Sequence, residues 1–225
     1  MTLTRLGFVV ALGAEARALG NLPSSWTLKV SGIGPLAATT AARALAAQGC
    51  DAIISWGVAG GLSPMLSIGD LVVPEQVQRE ERVYAVDREL RASLVASLAT
   101  HINGGTLITT DEVIRTPEMK SSLHRDHGAV AVDMESAAVA HVAAENGIGF
   151  AAIRAISDGA TDALPPGLTI ALDVETGALR AGGVSRLLLT KPHLVPRLVR
   201  AGRDFGRALA TLSSASASLR DDVHR

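Results

Sequence analysis

Three carboxylates stand where apolar runs give way to turns or helices: Glu15 in Ala14-Glu15-Ala16-Arg17, Glu135 in Asp133-Met134-Glu135-Ser136, and Asp158 in Ile156-Ser157-Asp158-Gly159. A carboxyl group at a strand end in a closed site can have its pKa raised and act as a general acid, and Asp158 has that placement. Glu135 follows one apolar run and opens an Ala-rich helix. From there its carboxylate can accept hydrogen bonds from a pair of vicinal hydroxyls, with Met134 beside it to pack on a sugar face. Plainer readings exist for both: an Asx turn at Ser157-Asp158-Gly159, and a favourable charge at a helix N-terminus for Glu135.

Two glycine-rich stretches share this kind of position. Gly57, Val58 and Ala59 lie in Ser55-Trp56-Gly57-Val58-Ala59-Gly60-Gly61, directly after a buried strand, where backbone free of side chains can close on a flat or anionic ligand. The other, Gly32-Ile33-Gly34-Pro35-Leu36-Ala37, matches a dinucleotide-binding turn, and Asp51 lies nineteen residues after Gly32. The acid stands on the wrong side, however: it precedes the strand at 52–56 instead of ending the second one. The turn is therefore expected to be a backbone wall and not a nicotinamide site. His124 and His127 lack a third ligand nearby and read as surface residues, and Cys50 reads as a packing residue. No metal and no cofactor are expected.

The elements that must position these groups follow from compact apolar runs at 6–11, 28–31, 52–56, 70–74, 106–109, 129–133 and 150–156. Runs apolar on both faces read as central strands. Helices are expected over 35–48, 87–100, 117–125, 134–146, 177–189 and 195–212. This alternation predicts a three-layer α/β/α fold with a central mixed, largely parallel sheet, and chemistry at the carboxyl edge of that sheet. Residues 1–212 are expected to form one catalytic domain and 213–225 a flexible tail. Of the 225 residues, 48% are hydrophobic and 3% aromatic, which suits helix-on-sheet packing better than an aromatic-rich all-β fold. The net charge of −1 excludes a global field for holding nucleic acid. A single cysteine points to a reducing cytoplasm, and residues 6–13, followed at once by Glu15 and Arg17, read as a buried strand and not a leader.

Taken together and in this order, the five segments around Glu15, Gly32, Gly57, Glu135 and Asp158 resemble the purine nucleoside phosphorylase and methylthioadenosine/adenosylhomocysteine nucleosidase superfamily. Ala163-Leu164-Pro165-Pro166, the stretch from Lys191 to Leu212 and the short middle at 70–90 are similar to its hopanoid-associated branch, which processes adenosylhopane. The resemblance implies a nucleoside phosphorylase-like fold and N-glycosidic cleavage that releases adenine. It gives Asp158 the proton for purine N7, with Ser157 orienting it. Glu135 and Met134 would hold the ribose, Val113 and Ile114 the base, and Glu15 the attacking water. The arginines that hexameric phosphorylases use for phosphate are missing near Glu15 and Ser55, which favours water, while Arg17 keeps a phosphate reading open. Val58 stands where nucleosidases carry a hydroxyl residue.

The expected substrate is thus a small adenosyl compound carrying a lipid, with a homo-oligomeric assembly implied by the resemblance. Two rivals remain at this point: a general methylthioadenosine or adenosylhomocysteine nucleosidase, and a noncatalytic nucleoside-binding module. Between 186 and 207 six basic residues, Arg186, Lys191, Arg197, Arg200, Arg203 and Arg207, are interspersed with leucines, valines and Phe205. An amphipathic helix pair packed on the sheet explains them, and so does peripheral contact with the inner membrane face.

Overall fold

The computed structural model describes residues 5–98, 100–164 and 195–223. The strands are β1 (Leu6–Val10), β2 (Trp26–Val30), β3 (Ala52–Gly61), β4 (Leu71–Val72), β5 (Gln76–Arg79), β6 (Arg82–Ala85), β7 (Ile102–Asn103), β8 (Thr106–Thr109), β9 (Ala129–Asp133) and β10 (Gly149–Asp158). Between and after them run α1 (Gly13–Leu19), α2 (Pro35–Ala47), α3 (Arg88–Ser97), α4 (Pro117–His127), α5 (Ser136–Asn146) and α6 (Val195–Val223). The expected helix at 177–189, Pro165-Pro166, Arg186 and Lys191 lie outside the described residues.

The ten strands of the described residues join one sheet, in the order β6-β5-β8-β9-β3-β10-β4-β7, with β1 paired to β3 and β2 to β1. Pairing is parallel except for β10 with β4, β3 with β9 and β5 with β6, so the expected mixed, largely parallel sheet is present. Helices α2 and α5 pack on each other and on the sheet, while α6 packs on β10 with α1 and α3 against it. Trp56, Phe8, Ile53, Ile54 and Ile153 are fully buried between these layers.

Two strands run further than their apolar runs suggested. The glycine-rich stretch after Trp56 does not end the strand expected over 52–56: β3 continues through Gly61, hydrogen-bonded to β10 on one side and to β9 at Gly60 and Gly61. Glycine weakens a strand but admits close approach, and a Cβ at Gly61 would meet the Asp158 carbonyl oxygen at 3.2 Å. Strand β10 likewise extends past Ile156, with a bulge: Ile156 pairs with Ala59 and Asp158 with Gly60, so Ser157 is the extra residue. Such a bulge re-aims the side chains at the strand end. The hairpin β5-β6 escaped the sequence reading because its residues are mainly polar, and only Val77 is buried.

The tail expected from Ser213 is instead the last part of α6. Ala208, Leu212, Ala215 and Leu219 form one buried stripe at helical spacing, which the many serines and alanines conceal in sequence. Ser216 Oγ donates to the Leu19 carbonyl oxygen at 2.6 Å and Arg220 Nη1 to the same oxygen at 2.5 Å, so α6 closes the C-terminal end of α1.

Candidate active site

One cleft opens at the carboxyl edge of the sheet, with about 670 Å³ of space including its solvent-filled mouth. Glu15, Val58, Ala59, Val113, Ile114, Met134, Glu135, Ser157 and Asp158 all line it, and Ile33 from the Gly32-Gly34 turn lines it as well. Gly57 lies behind the lining and Arg17 does not reach it. Arg17 is exposed because two residues along a helix rotate a side chain by roughly 200°, so Glu15 and Arg17 point apart.

Glu15 sits in the first turn of α1 and folds back on the start of its own helix. Its Oε2 accepts from the N–H groups of Ala11 (3.0 Å) and Leu12 (2.9 Å), its Oε1 from that of Val58 (2.9 Å). Burial raises its pKa above the usual carboxylate range, against the lowering pull of Arg154 and those three N–H groups. Gly57 makes this arrangement sterically possible: a Cβ there would collide with Glu15 Oε1 and with Arg154 Nη1.

Glu135 is the N-cap residue of α5, which begins at Ser136, two positions later than the start at 134 expected from sequence. Its Oε1 accepts from the N–H of Gly34 at 2.9 Å and its Oε2 from that of Met134 at 3.3 Å. Gly34 has φ of +101°, a conformation that glycine adopts without strain, and so turns its N–H toward the carboxylate. Burial, then repulsion from Asp133, pushes the Glu135 carboxyl up to about 7, while Arg154 and the Gly34 N–H pull it down.

Three residues of this constellation were not assigned a role from sequence. Arg154, 2% exposed in the middle of β10, donates through Nε (2.9 Å) and Nη2 (2.6 Å) to Asp133 Oδ2. Its Nη2 also lies 2.7 Å from Ser55 Oγ and 2.9 Å from Ser136 Oγ. Asp133 in turn accepts from Thr109 Oγ1 at 2.6 Å and from the N–H of Ser136. Burial alone would weaken the charge of Arg154, but Asp133, Glu135 and Glu15 outweigh it and raise its pKa. Arg154 is thus the buried cation around which three acids gather. An arginine inside a run that is otherwise apolar on both faces is the signal for this, since a charge in a central strand must be paired.

The third is Lys120, on α4 and fully buried. Its Nζ lies 2.5 Å from Asp158 Oδ2 and 2.6 Å from the Gly159 carbonyl oxygen. Asp158, read from sequence as a lone acid in a closed pocket, is instead half of an ion pair, with the Ser157 hydroxyl 2.8 Å from its Oδ1. Asp51 lies at the opposite end of β3, near Arg5, which removes it from any dinucleotide role. His124, expected at the surface, is half-buried with Nδ1 2.8 Å from the Ala129 carbonyl oxygen.

Known proteins resemble this chain in sequence and in fold. A methylthioadenosine/S-adenosylhomocysteine nucleosidase of Mycobacterium bovis is 29% identical, the match covering 58% of this chain and 68% of that protein. A mutant of the Helicobacter pylori enzyme of that name, solved with 5′-methylthioadenosine in its active site, superposes with a TM-score of 0.72 at 18% identity over 98% of both chains. Native futalosine hydrolase of Helicobacter pylori gives 0.74, also at 18% identity and 98% coverage of each. The family model described as the phosphorylase superfamily matches residues 18–190, more than half of the sequence, and the chain belongs to that superfamily.

Proposed function

We propose that the protein cleaves the N-glycosidic bond of an adenosyl compound and releases adenine, with water as the nucleophile. The observation that carries this reading is the convergence of Glu15, Glu135 and Asp158 on one cleft that also offers apolar walls from Val113, Ile114 and Met134. The chain is an enzyme of the nucleosidase and nucleoside phosphorylase class, and its relatives bear the names of nucleosidases. In the proposed reaction the base lies between Val113, Ile114 and Asp158. Asp158 passes a proton to N7 as the bond from N9 to the ribosyl carbon breaks and its electron pair stays on the purine. Glu135 accepts hydrogen bonds from the ribose hydroxyls and steadies the cationic sugar. Glu15 takes the proton of the water that adds to it.

Electrostatics favours water over phosphate. Among the described residues the cleft is lined by Glu15, Glu112, Asp133, Glu135 and Asp158, and by no lysine or arginine. Arg154 and Lys120, which stand behind it, are engaged by Asp133 and Asp158. A phosphate dianion would enter against this field.

The finer reading is that the adenosyl group is joined to a lipid, as in adenosylhopane, at the cytoplasmic membrane face. The resemblance of 163–166 and 191–212 to the hopanoid-associated branch supports it. So does a second cavity beside the first, lined by Asp158, Leu164, Arg197 and Arg200, next to which α6 exposes Val199. Arg200 is bonded to Asp162 at 2.9 Å and Arg207 lies 3.5 Å from Asp204, which leaves Arg197 and Arg203 as the exposed arginines offered to an anionic surface. No helix among the described residues is long and apolar enough to cross a membrane. A homo-oligomer belongs to the same proposal, with exposed Leu36 and Met65 as surfaces to be covered.

The test is incubation with adenosine, 5′-methylthioadenosine, S-adenosylhomocysteine and adenosylhopane, each with and without phosphate, followed by assay of adenine and the sugar product. Adenine in phosphate-free buffer is expected, fastest from the lipid. A 1-phosphorylated sugar formed only with phosphate would overturn the water assignment. Release from none of the four would leave a nucleoside-binding module.

A further inference from the structure

The reading of Asp158 as the acid leaves a proton to be accounted for. An ion pair with Lys120 gives Asp158 no proton of its own. The Ser157 hydroxyl has one proton to share between Asp158 Oδ1 at 2.8 Å and the Ala59 carbonyl oxygen at 3.2 Å. Among the described contacts of the carboxylate, the remaining acidic protons are those on Lys120 Nζ, 2.5 Å from Oδ2. That side chain is 0% exposed, although lysine is among the residue types least often fully buried. Burying an ammonium costs several kcal/mol, and a methionine of similar length would pin α4 to the end of β10 without that cost. The ammonium is also held in register from the other side, by the Gly159 carbonyl oxygen at 2.6 Å.

We propose that Lys120 is the proton reservoir for Asp158, passing the proton that the departing purine receives. This rests on the assignment of Asp158 as the acid and goes one step beyond it. As the bond from N9 to the ribosyl carbon breaks, its electron pair goes to the purine. N7 takes a proton from the Asp158 carboxyl group, and that group takes one from Nζ. Asp158 ends as it began, a carboxylate, and Lys120 ends as a neutral amine. The water that adds to the sugar leaves its own proton on Glu15. Lys120 regains a proton from solvent, and Glu15 releases one to it, once the products have left. Because Lys120 does not line the cleft, it acts through Asp158 and is a positioning and proton-supplying residue, not one that touches the substrate.

Two substrates separate proton supply from structural support. 5′-Methylthioadenosine needs its leaving group protonated; p-nitrophenyl β-D-ribofuranoside does not, since nitrophenolate departs as an anion. Lys120→Met should lower kcat on the first by about 10²–10⁴-fold, the range for a lost general acid, with KM changed only a few-fold and less than tenfold loss on the second. Lys120→Arg should fail to restore kcat, because guanidinium does not release its proton. Lys120→Ala should recover turnover with added ethylamine and faster still with the more acidic 2-fluoroethylamine. Restoration by arginine, or equal losses on both substrates in a variant that melts like the parent, would overturn the reservoir. Normal turnover by Lys120→Met beside an inactive Asp158→Asn would do the same and leave Asp158 in place. Wild-type turnover by Asp158→Asn would instead sink the assignment on which the proposal rests.

Discussion

Replacing Glu135 by Gln should stabilise the fold at alkaline pH while damaging the sugar site. The carboxyl group rises from 4.5 to about 7 on folding, because burial and Asp133 oppose its charge. At about 1.4 kcal/mol for each unit, ionised Glu135 costs the folded state about 3 kcal/mol. The sign follows from a pKa raised on folding: the stability is fully present below 4.5 and is lost as the pH rises through about 7. Glutamine keeps an oxygen for the Gly34 N–H but turns an amide donor toward that of Met134, a loss of about 1 kcal/mol. The net gain at pH 8.5 is then about 2 kcal/mol, or roughly 5 °C in Tm for a chain of this size. At pH 5 most of the gain should be gone. Urea unfolding of parent and variant at both pH values measures this directly. A difference independent of pH, or destabilisation at pH 8.5, would refute the claim that Glu135 is held under electrostatic strain. In the parent, kcat/KM should rise as pH increases through about 7, where the hydroxyl-binding carboxylate forms, and this rise should be absent in the variant.

Other substitutions probe the buried network. Arg154→Met should cost about 3–5 kcal/mol in denaturant unfolding, because Asp133 loses its buried counter-ion, whereas loss under 1 kcal/mol would mean that Thr109 and Ser136 satisfy Asp133 alone. Gly57→Ala should lower kcat at least tenfold and reduce Tm, since its methyl collides with Glu15 and Arg154; a variant with parental kinetics would show that these side chains are free to move apart. Exchanging Arg197 and Arg203 for Gln should weaken binding to phosphatidylglycerol vesicles by about 1 kcal/mol per residue at low salt, and a wild-type protein that ignores such vesicles would remove the membrane from the proposal.

How much of this was legible in the sequence differs from element to element. Central strands declare themselves through apolar runs, so β1, β8 and β9 lie close to where expected, and the cleft-lining residues follow from the ends of those runs. The expected strand stops at 56, before Gly57 to Gly61, because glycine is rare inside strands. Only the tertiary contacts, with Glu15 and Arg154 pressed against Gly57, show why a side chain is excluded at that position. The C-terminal part of α6 hid behind serines, one of which, Ser216, turns out to donate its hydroxyl to α1. Arg154 could have been recognised as a charge needing partners. Lys120 could not: its neighbours in α4 are mostly polar, and its partner, Asp158, lies 38 residues later in the chain.

The central claim is most directly tested by the fate of solvent oxygen. Reaction of the best adenosyl substrate in water enriched in oxygen-18, without phosphate, should give one adenine for each sugar and a single labelled oxygen at the former glycosidic carbon. Asp158→Asn and Glu15→Gln should each suppress both products together. Adenine release that requires phosphate and leaves the sugar unlabelled, or labelled product at the parental rate from either variant, would contradict the account.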